Sequence, residues 1–78
     1  MDILKRVKEI IHKTFDSITE NQITPEAEFI LDLGLDSLEI TELIMEFETE
    51  FDIDIPNSDI ENIKNVNDAV KYIQNMLQ

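Results

Sequence analysis

The chain has 78 residues, no cysteine, 42% hydrophobic residues and a net charge of −12. That length allows one small domain, spanning 1–78, and the absent cysteine excludes disulfides, thiolate metal sites and cysteine nucleophiles. Fifteen Asp and Glu and no Lys or Arg lie between Thr14 and Ile63, which excludes nucleic acid and anionic lipid as partners bound through charge. Such a surface is either a steering field for basic partners or simply a soluble, self-repelling exterior. No apolar run approaches the roughly 18 residues of a membrane span, and MDILKRVKEI lacks the pattern of a signal peptide. A soluble, cytoplasmic monomer without membrane insertion is the expectation.

From Asp2 to about Phe15, Ile3, Val7, Ile10, Ile11 and Thr14 recur at helical spacing, with Asp2 as cap. Lys5, Arg6, Lys8, Glu9, His12 and Lys13 fall mostly on the other side, so His12 reads as a solvated surface residue. Asp16 to Leu35 has no sustained period and is too long for a free loop. Ile18, Ile23, Phe29, Ile30 and Leu33 are expected to pin it to the core. Thr24-Pro25-Glu26 reads as a cap, a first-turn proline and an acid, hence one turn of helix. Glu28 to Leu33 is not read as a strand, because no second strand offers its backbone a partner.

Gly34, the only glycine, suits a sharp turn into a helix, and Asp36 is its N-cap. The helix runs from Ser37 to about Glu50, with a core stripe of Ile40, Leu43, Ile44, Phe47 and Phe51. Pro56 stops any continuing helix, and Asn57 or Ser58 caps a short one presenting Ile60 and Ile63. Asn67 is expected to cap a last helix with Ala69, Val70, Ile73, Met76 and Leu77 inward and Tyr72 flanking. The fold class is therefore all-α: a small antiparallel bundle of three main helices and one short one.

Enzymatic readings fail. A serine nucleophile needs a base and an orienting group, and the single histidine sits among surface charges. No catalytic residue is assigned. Asp32, Gly34 and Asp36 match positions 1, 3 and 5 of a calcium loop, but its sixth position is Ser37 where glycine is needed and its twelfth is Leu43 where glutamate is needed. No metal site is assigned.

Ser37 remains. It is either an ordinary first-turn serine or an attachment point. With Asp36 taking the cap, its hydroxyl is free, and a helix N-terminus favours an attached phosphate. Leu38, Thr41 and Met45 lie off the core stripe of the same helix among Glu39, Glu42, Glu46 and Glu48. That pattern is a docking face with an apolar centre and an acidic rim.

Asp32-Leu33-Gly34-Leu35-Asp36-Ser37-Leu38, then Glu42-Leu43, then Glu50-Phe51-Asp52-Ile53-Asp54-Ile55-Pro56, resembles the acyl carrier protein family, and the likeness extends over nearly the whole chain. The resemblance implies that Ser37 carries 4′-phosphopantetheine, transferred from coenzyme A by a phosphopantetheinyl transferase that recognises Asp36. It implies a carrier and not an enzyme, holding acyl thioesters for type II fatty acid biosynthesis, with synthase, reductase and dehydratase partners docking through basic patches. It implies an acyl pocket between the second, third and fourth helices, lined by Ile40, Leu43, Phe47, Ile55, Ile60, Ile63, Ala69 and Tyr72. Leu35 stands where many fatty-acid members have alanine, and Glu39 and Ile40 where aspartate and a smaller or polar residue are frequent. Leu35 is then expected to bear on partner choice and Ile40 on the pocket mouth. A polyketide, aminoacyl or other specialised acyl pathway stays open, as does an unmodified acidic adaptor.

Overall fold

The computed structural model describes residues 2–78; Met1, the first residue of the expected domain, lies outside them. Four α-helices follow in order: α1 (Ile3–Thr14), α2 (Ser37–Phe51), α3 (Asn57–Ile60) and α4 (Val66–Leu77). One 3₁₀ turn, Glu20–Gln22, interrupts the long loop after α1. α1 packs against both α2 and α4, and the three long helices close over Val7, Ile11, Leu43, Phe47, Val66 and Ile73. The result is an all-helical bundle.

α1 forms as its periodicity dictates. The Asp2 carboxylate accepts from the Lys5 N–H at 3.1 Å, and Ile3, Val7, Ile10 and Ile11 are buried. Thr14 closes the last turn by donating to the Ile10 carbonyl at 2.7 Å. His12 departs from expectation. It is half-buried, and its Nδ1 lies 2.6 Å from the Ile18 carbonyl. A carbonyl only accepts, so Nδ1 carries the proton and the imidazole ties the end of α1 to the loop.

The loop is held by burial of Ile18, Ile23, Ala27, Phe29 and Leu35. Ile30 is not among them, at 60% exposure. Thr24-Pro25-Glu26 is a turn and not helix, closed by Ala27 N–H on the Thr24 carbonyl. The carbonyls a helix would use there are taken by α4: Val66 N–H donates to Ala27 and Asn67 N–H to Pro25, while Phe29 N–H donates to Lys64. Among the described residues only one bridge, Glu28 with Asn65, has strand-like pairing. Helical geometry appears one segment earlier, where the Thr19 N–H and hydroxyl both donate to the Gln22 side chain.

α2 ends at Asp52, whose φ of 54° is the only positive value at a non-glycine among the described residues. The Asp52 and Ile53 N–H groups both donate to the Glu48 carbonyl. α3 has no side-chain cap: Pro56 occupies the capping position, and neither Asn57 nor Ser58 does. α4 is capped by Asn65, not Asn67. The Asn65 carboxamide accepts from Asp68 N–H at 2.7 Å, and the Asp68 carboxylate accepts from Lys64 and Asn65 N–H. That reciprocal pair works only with the cap at Asn65, because position N3 counted from Asn67 would be Val70. Met76 and Leu77, expected inward, are 43% and 44% exposed, since α4 outruns the core.

Candidate functional site

Three local features present Ser37. Gly34 takes φ +73°, a left-handed turn. Leu35, 4% exposed, drives the chain into the core immediately afterwards, and its N–H donates to the Phe29 carbonyl at 2.9 Å. Asp36 then starts α2 through a reciprocal cap. Its carboxylate accepts from Glu39 N–H at 2.8 Å, and the Glu39 carboxylate accepts from Asp36 N–H at 3.1 Å. Ser37 emerges exposed on the next residue. Its carbonyl accepts from the Thr41 hydroxyl at 3.0 Å, and none of these bonds uses the Ser37 hydroxyl. The buried Leu35 is a structural anchor and offers no surface to a partner, contrary to the role its position suggested.

Ser37 stands at the rim of a cavity of about 520 Å³. α2 contributes Ser37, Ile40 and Thr41, the loop contributes Phe29, Ile30 and Leu31, and α3 with its exit contributes Ile60, Glu61, Ile63 and Lys64. Glu28 completes the rim. Of the eight expected pocket residues, Ile40, Ile60 and Ile63 line it. Leu43, Phe47, Ile55 and Ala69 are buried in the packed core instead. Tyr72 lines a separate recess of about 240 Å³ with Asp59, Asn62, Ile63, Asp68, Lys71 and Asn75. The cavity opens between helices and loop, so inward-facing stripes did not reveal it. The available signal was Phe29-Ile30-Leu31, three consecutive apolar residues in a segment with no period.

The expected docking residues divide into two groups. Leu38 and Met45 are 69% and 59% exposed, and Thr41 and Glu42 are exposed beside them. Glu46 is half-buried. Glu39 spends its carboxylate on the cap described above. Glu48 turns away from solvent, its carboxylate accepting from Ile55 N–H at 2.9 Å. The two carboxylates considered for calcium are also engaged, Asp32 by Glu28 N–H at 2.7 Å and Asp36 by Glu39 N–H. No group of three or more His, Asp or Glu converges as a metal site among the described residues.

Charge is distributed unevenly around this site. Arg6 and Lys13 of α1 both reach Glu50, at 2.9 and 3.5 Å, and pair its carboxylate near the far end of α2. Lys64 lines the same cavity as Ser37, but among the described residues no ion pair holds a cation at the start of α2, where Asp36 is the cap and Glu39 the acid of the first turn. The Tyr72 hydroxyl is held in its protonated form. It donates to the Asp59 carboxylate at 2.7 Å. That hydrogen bond, then burial, then the carboxylate's charge push its pKa up to about 12.

Comparison with known proteins meets this geometry. A family model described as a phosphopantetheine attachment site matches residues 5–73. A protein named acyl carrier protein, from Phenylobacterium zucineum (strain HLK1), is 50% identical over 76 residues, which cover 97% of this chain and 95% of that one. No helix among the described residues is long and apolar enough to cross a membrane.

Proposed function

Because this chain belongs to the acyl carrier protein family, we propose that Ser37 is the residue that takes the 4′-phosphopantetheine arm and that the protein carries fatty acyl chains in type II fatty acid biosynthesis. Acyl carrier proteins hold their cargo and do not transform it, so the chain is a carrier and not an enzyme. When bound, the arm supplies a terminal thiol, which a chain without cysteine lacks, and holds the acyl group there as a thioester.

The residues at the site fit such a group. Ser37 is exposed with its hydroxyl unengaged, and the unpaired N–H groups and positive dipole of the α2 N-terminus favour a phosphodiester. Asp36 works against that field by its charge but fixes the helix start, and it is the residue we assign to recognition by a phosphopantetheinyl transferase. Ile40, Ile60 and Ile63, with Phe29, Ile30 and Leu31, offer an apolar wall to the acyl chain. Each methylene buried there is worth about 0.8 kcal/mol, and cargo that binds only the folded state stabilises it.

Leu38, Thr41, Glu42 and Met45 form the docking face we assign to fatty-acid synthesis enzymes with basic patches. An apolar centre gives burial, and the acidic surround gives fast, salt-sensitive association. The protein works as a cytoplasmic monomer in this reading, with residues 1–78 as one carrier domain.

The observation that carries the proposal is the unengaged, exposed Ser37 at a helix start beside an apolar cavity. The test is incubation of the unmodified protein with coenzyme A and a broad-specificity transferase. A mass gain of one phosphopantetheinyl group, absent in Ser37→Ala, is the expected result; no gain leaves the acidic adaptor. Mass spectrometry of the native thioester then separates fatty acyl cargo from polyketide or aminoacyl cargo.

A further inference from the structure

α3 is the least anchored element around the cavity. It has four residues, none of them fully buried, and no side-chain cap. The chain is fixed on either side of it. Upstream, Ile55 is buried and its N–H is held by Glu48. Downstream, Ile63 and Val66 are buried and the Lys64 carbonyl is held by Phe29 N–H. Between these points α3 is a short strap. Ile60 packs partly against the core, and one side-chain hydrogen bond joins the strap to α4: Tyr72 hydroxyl to Asp59 carboxylate, 2.7 Å.

The strap is also a wall. Ile60 and the residues just after it, Glu61, Ile63 and Lys64, close one side of the cavity at Ser37. Ile63 lines both that cavity and the recess containing Tyr72 and Asp59. Displacement of α3 from Tyr72 therefore moves Ile60, and with it one apolar wall of the cavity at Ser37.

We propose that the Tyr72–Asp59 hydrogen bond is a clasp on α3 that sets how long an acyl chain the cavity beside Ser37 shelters. The proposal rests on the carrier reading above. The pair is specificity-determining and touches neither the arm nor the reacting thioester. A hydroxyl donating to an ionised carboxylate is among the stronger hydrogen bonds available to a half-exposed pair, and Tyr72→Phe removes it while keeping the ring that packs on the core.

Two measurements test this. In unmodified protein, Tyr72→Phe should speed amide exchange of Asp59 through Ile63 by about tenfold, the factor for loss of a charge-assisted bond of roughly 1.4 kcal/mol, with the slow amides of α1 unchanged. Asp59→Asn, which keeps an acceptor without charge, should lie between Tyr72→Phe and wild type. Ser37 is then loaded from butanoyl-, octanoyl- and dodecanoyl-coenzyme A, and the gain in melting temperature over the thiol form is read for each chain. The profile should shift toward the longer chain in Tyr72→Phe. Unchanged exchange, or faster exchange with an unshifted profile, overturns the clasp. A wild type that gains nothing from any chain removes the sheltering role of the cavity itself, and the proposal with it.

Discussion

Glu48 offers the sharpest test of how this surface is divided between structure and recognition. By sequence it belongs with Glu42 on the docking face. In the fold its carboxylate accepts from Ile55 N–H at 2.9 Å, and Ile55 is 6% exposed. Glu48→Ala leaves a sheltered amide without its charged acceptor, a loss of about 1.5–3 kcal/mol for hydrogen bonds to charged groups. Removing one negative charge from a chain at −12 returns a few tenths of a kcal/mol by easing self-repulsion. The net cost is about 1–2.5 kcal/mol, or a melting temperature lower by roughly 5–20 °C in a domain of this size. Glu48→Gln keeps an uncharged acceptor and should recover about half of the loss. The assay is thermal unfolding followed by helical circular dichroism, at one ionic strength. Glu42→Gln is the control, exposed and expected to stay within about 0.5 kcal/mol of wild type. A Glu48→Ala protein that melts at or above the wild-type temperature, or a Glu42→Gln protein that loses as much, refutes the assignment.

Other perturbations have equally definite outcomes. Glu42→Lys should leave the melting temperature nearly unchanged and slow arm transfer or acyl transfer at low salt, with the deficit shrinking as salt rises; equal rates would place the docking face elsewhere. Gly34→Ala should cost about 1 kcal/mol in chemical denaturation, because a Cβ there meets nothing within 4 Å and only the φ of +73° resists it. Asp52→Asn should gain about 0.5 kcal/mol, since asparagine tolerates the left-handed region and removes a negative charge from the α2 C-terminus, whose last turn has no basic residue. Tyr72 is the only tyrosine and there is no tryptophan, so tyrosinate absorbance reports it alone. Its pKa of about 12 lies above the ordinary 10.0, so the folded state holds this proton more tightly than the unfolded state. The contribution is complete below pH 10 and is lost as pH climbs through about 12. An ionisation midpoint at the ordinary value in folded protein would contradict that. Magnesium or moderate salt should raise the melting temperature by screening the acidic chain.

Periodicity carried the bundle, because α1, α2 and α4 bury continuous stripes and a buried stripe leaves its spacing in the sequence. What was hard to read depends on pairing across distance. Thr24-Pro25-Glu26 has good helix-starting chemistry, yet the Pro25 carbonyl and that of Ala27 beside it serve α4, about forty residues away, and local propensity yields to that. The cap at Asn65 is legible as Asn-x-x-Asp, a reciprocal pair that Asn67, with Val70 three residues on, does not offer. Ser37 and Asp36 stood out through local chemistry alone. The cavity did not, because Ile30 looks like a core residue in one dimension, whereas the fold leaves it and Leu31 exposed along the cavity. The two glutamates that left the docking face, Glu39 and Glu48, did so for backbone amides that a sequence does not display as donors.

The bonds from Ala27, Phe29 and Pro25 to residues 64–67 have a consequence for the order of assembly. Each closes a large ring of chain, and ring closure of that size is slow compared with winding a helix. Residues 25–29 can be fastened only where residues 64–67 are already in place, so the ledge from which Ser37 projects depends on the docking of the C-terminal helix. A copy whose C-terminal helix has not docked has an open seam on the side where its serine should be offered.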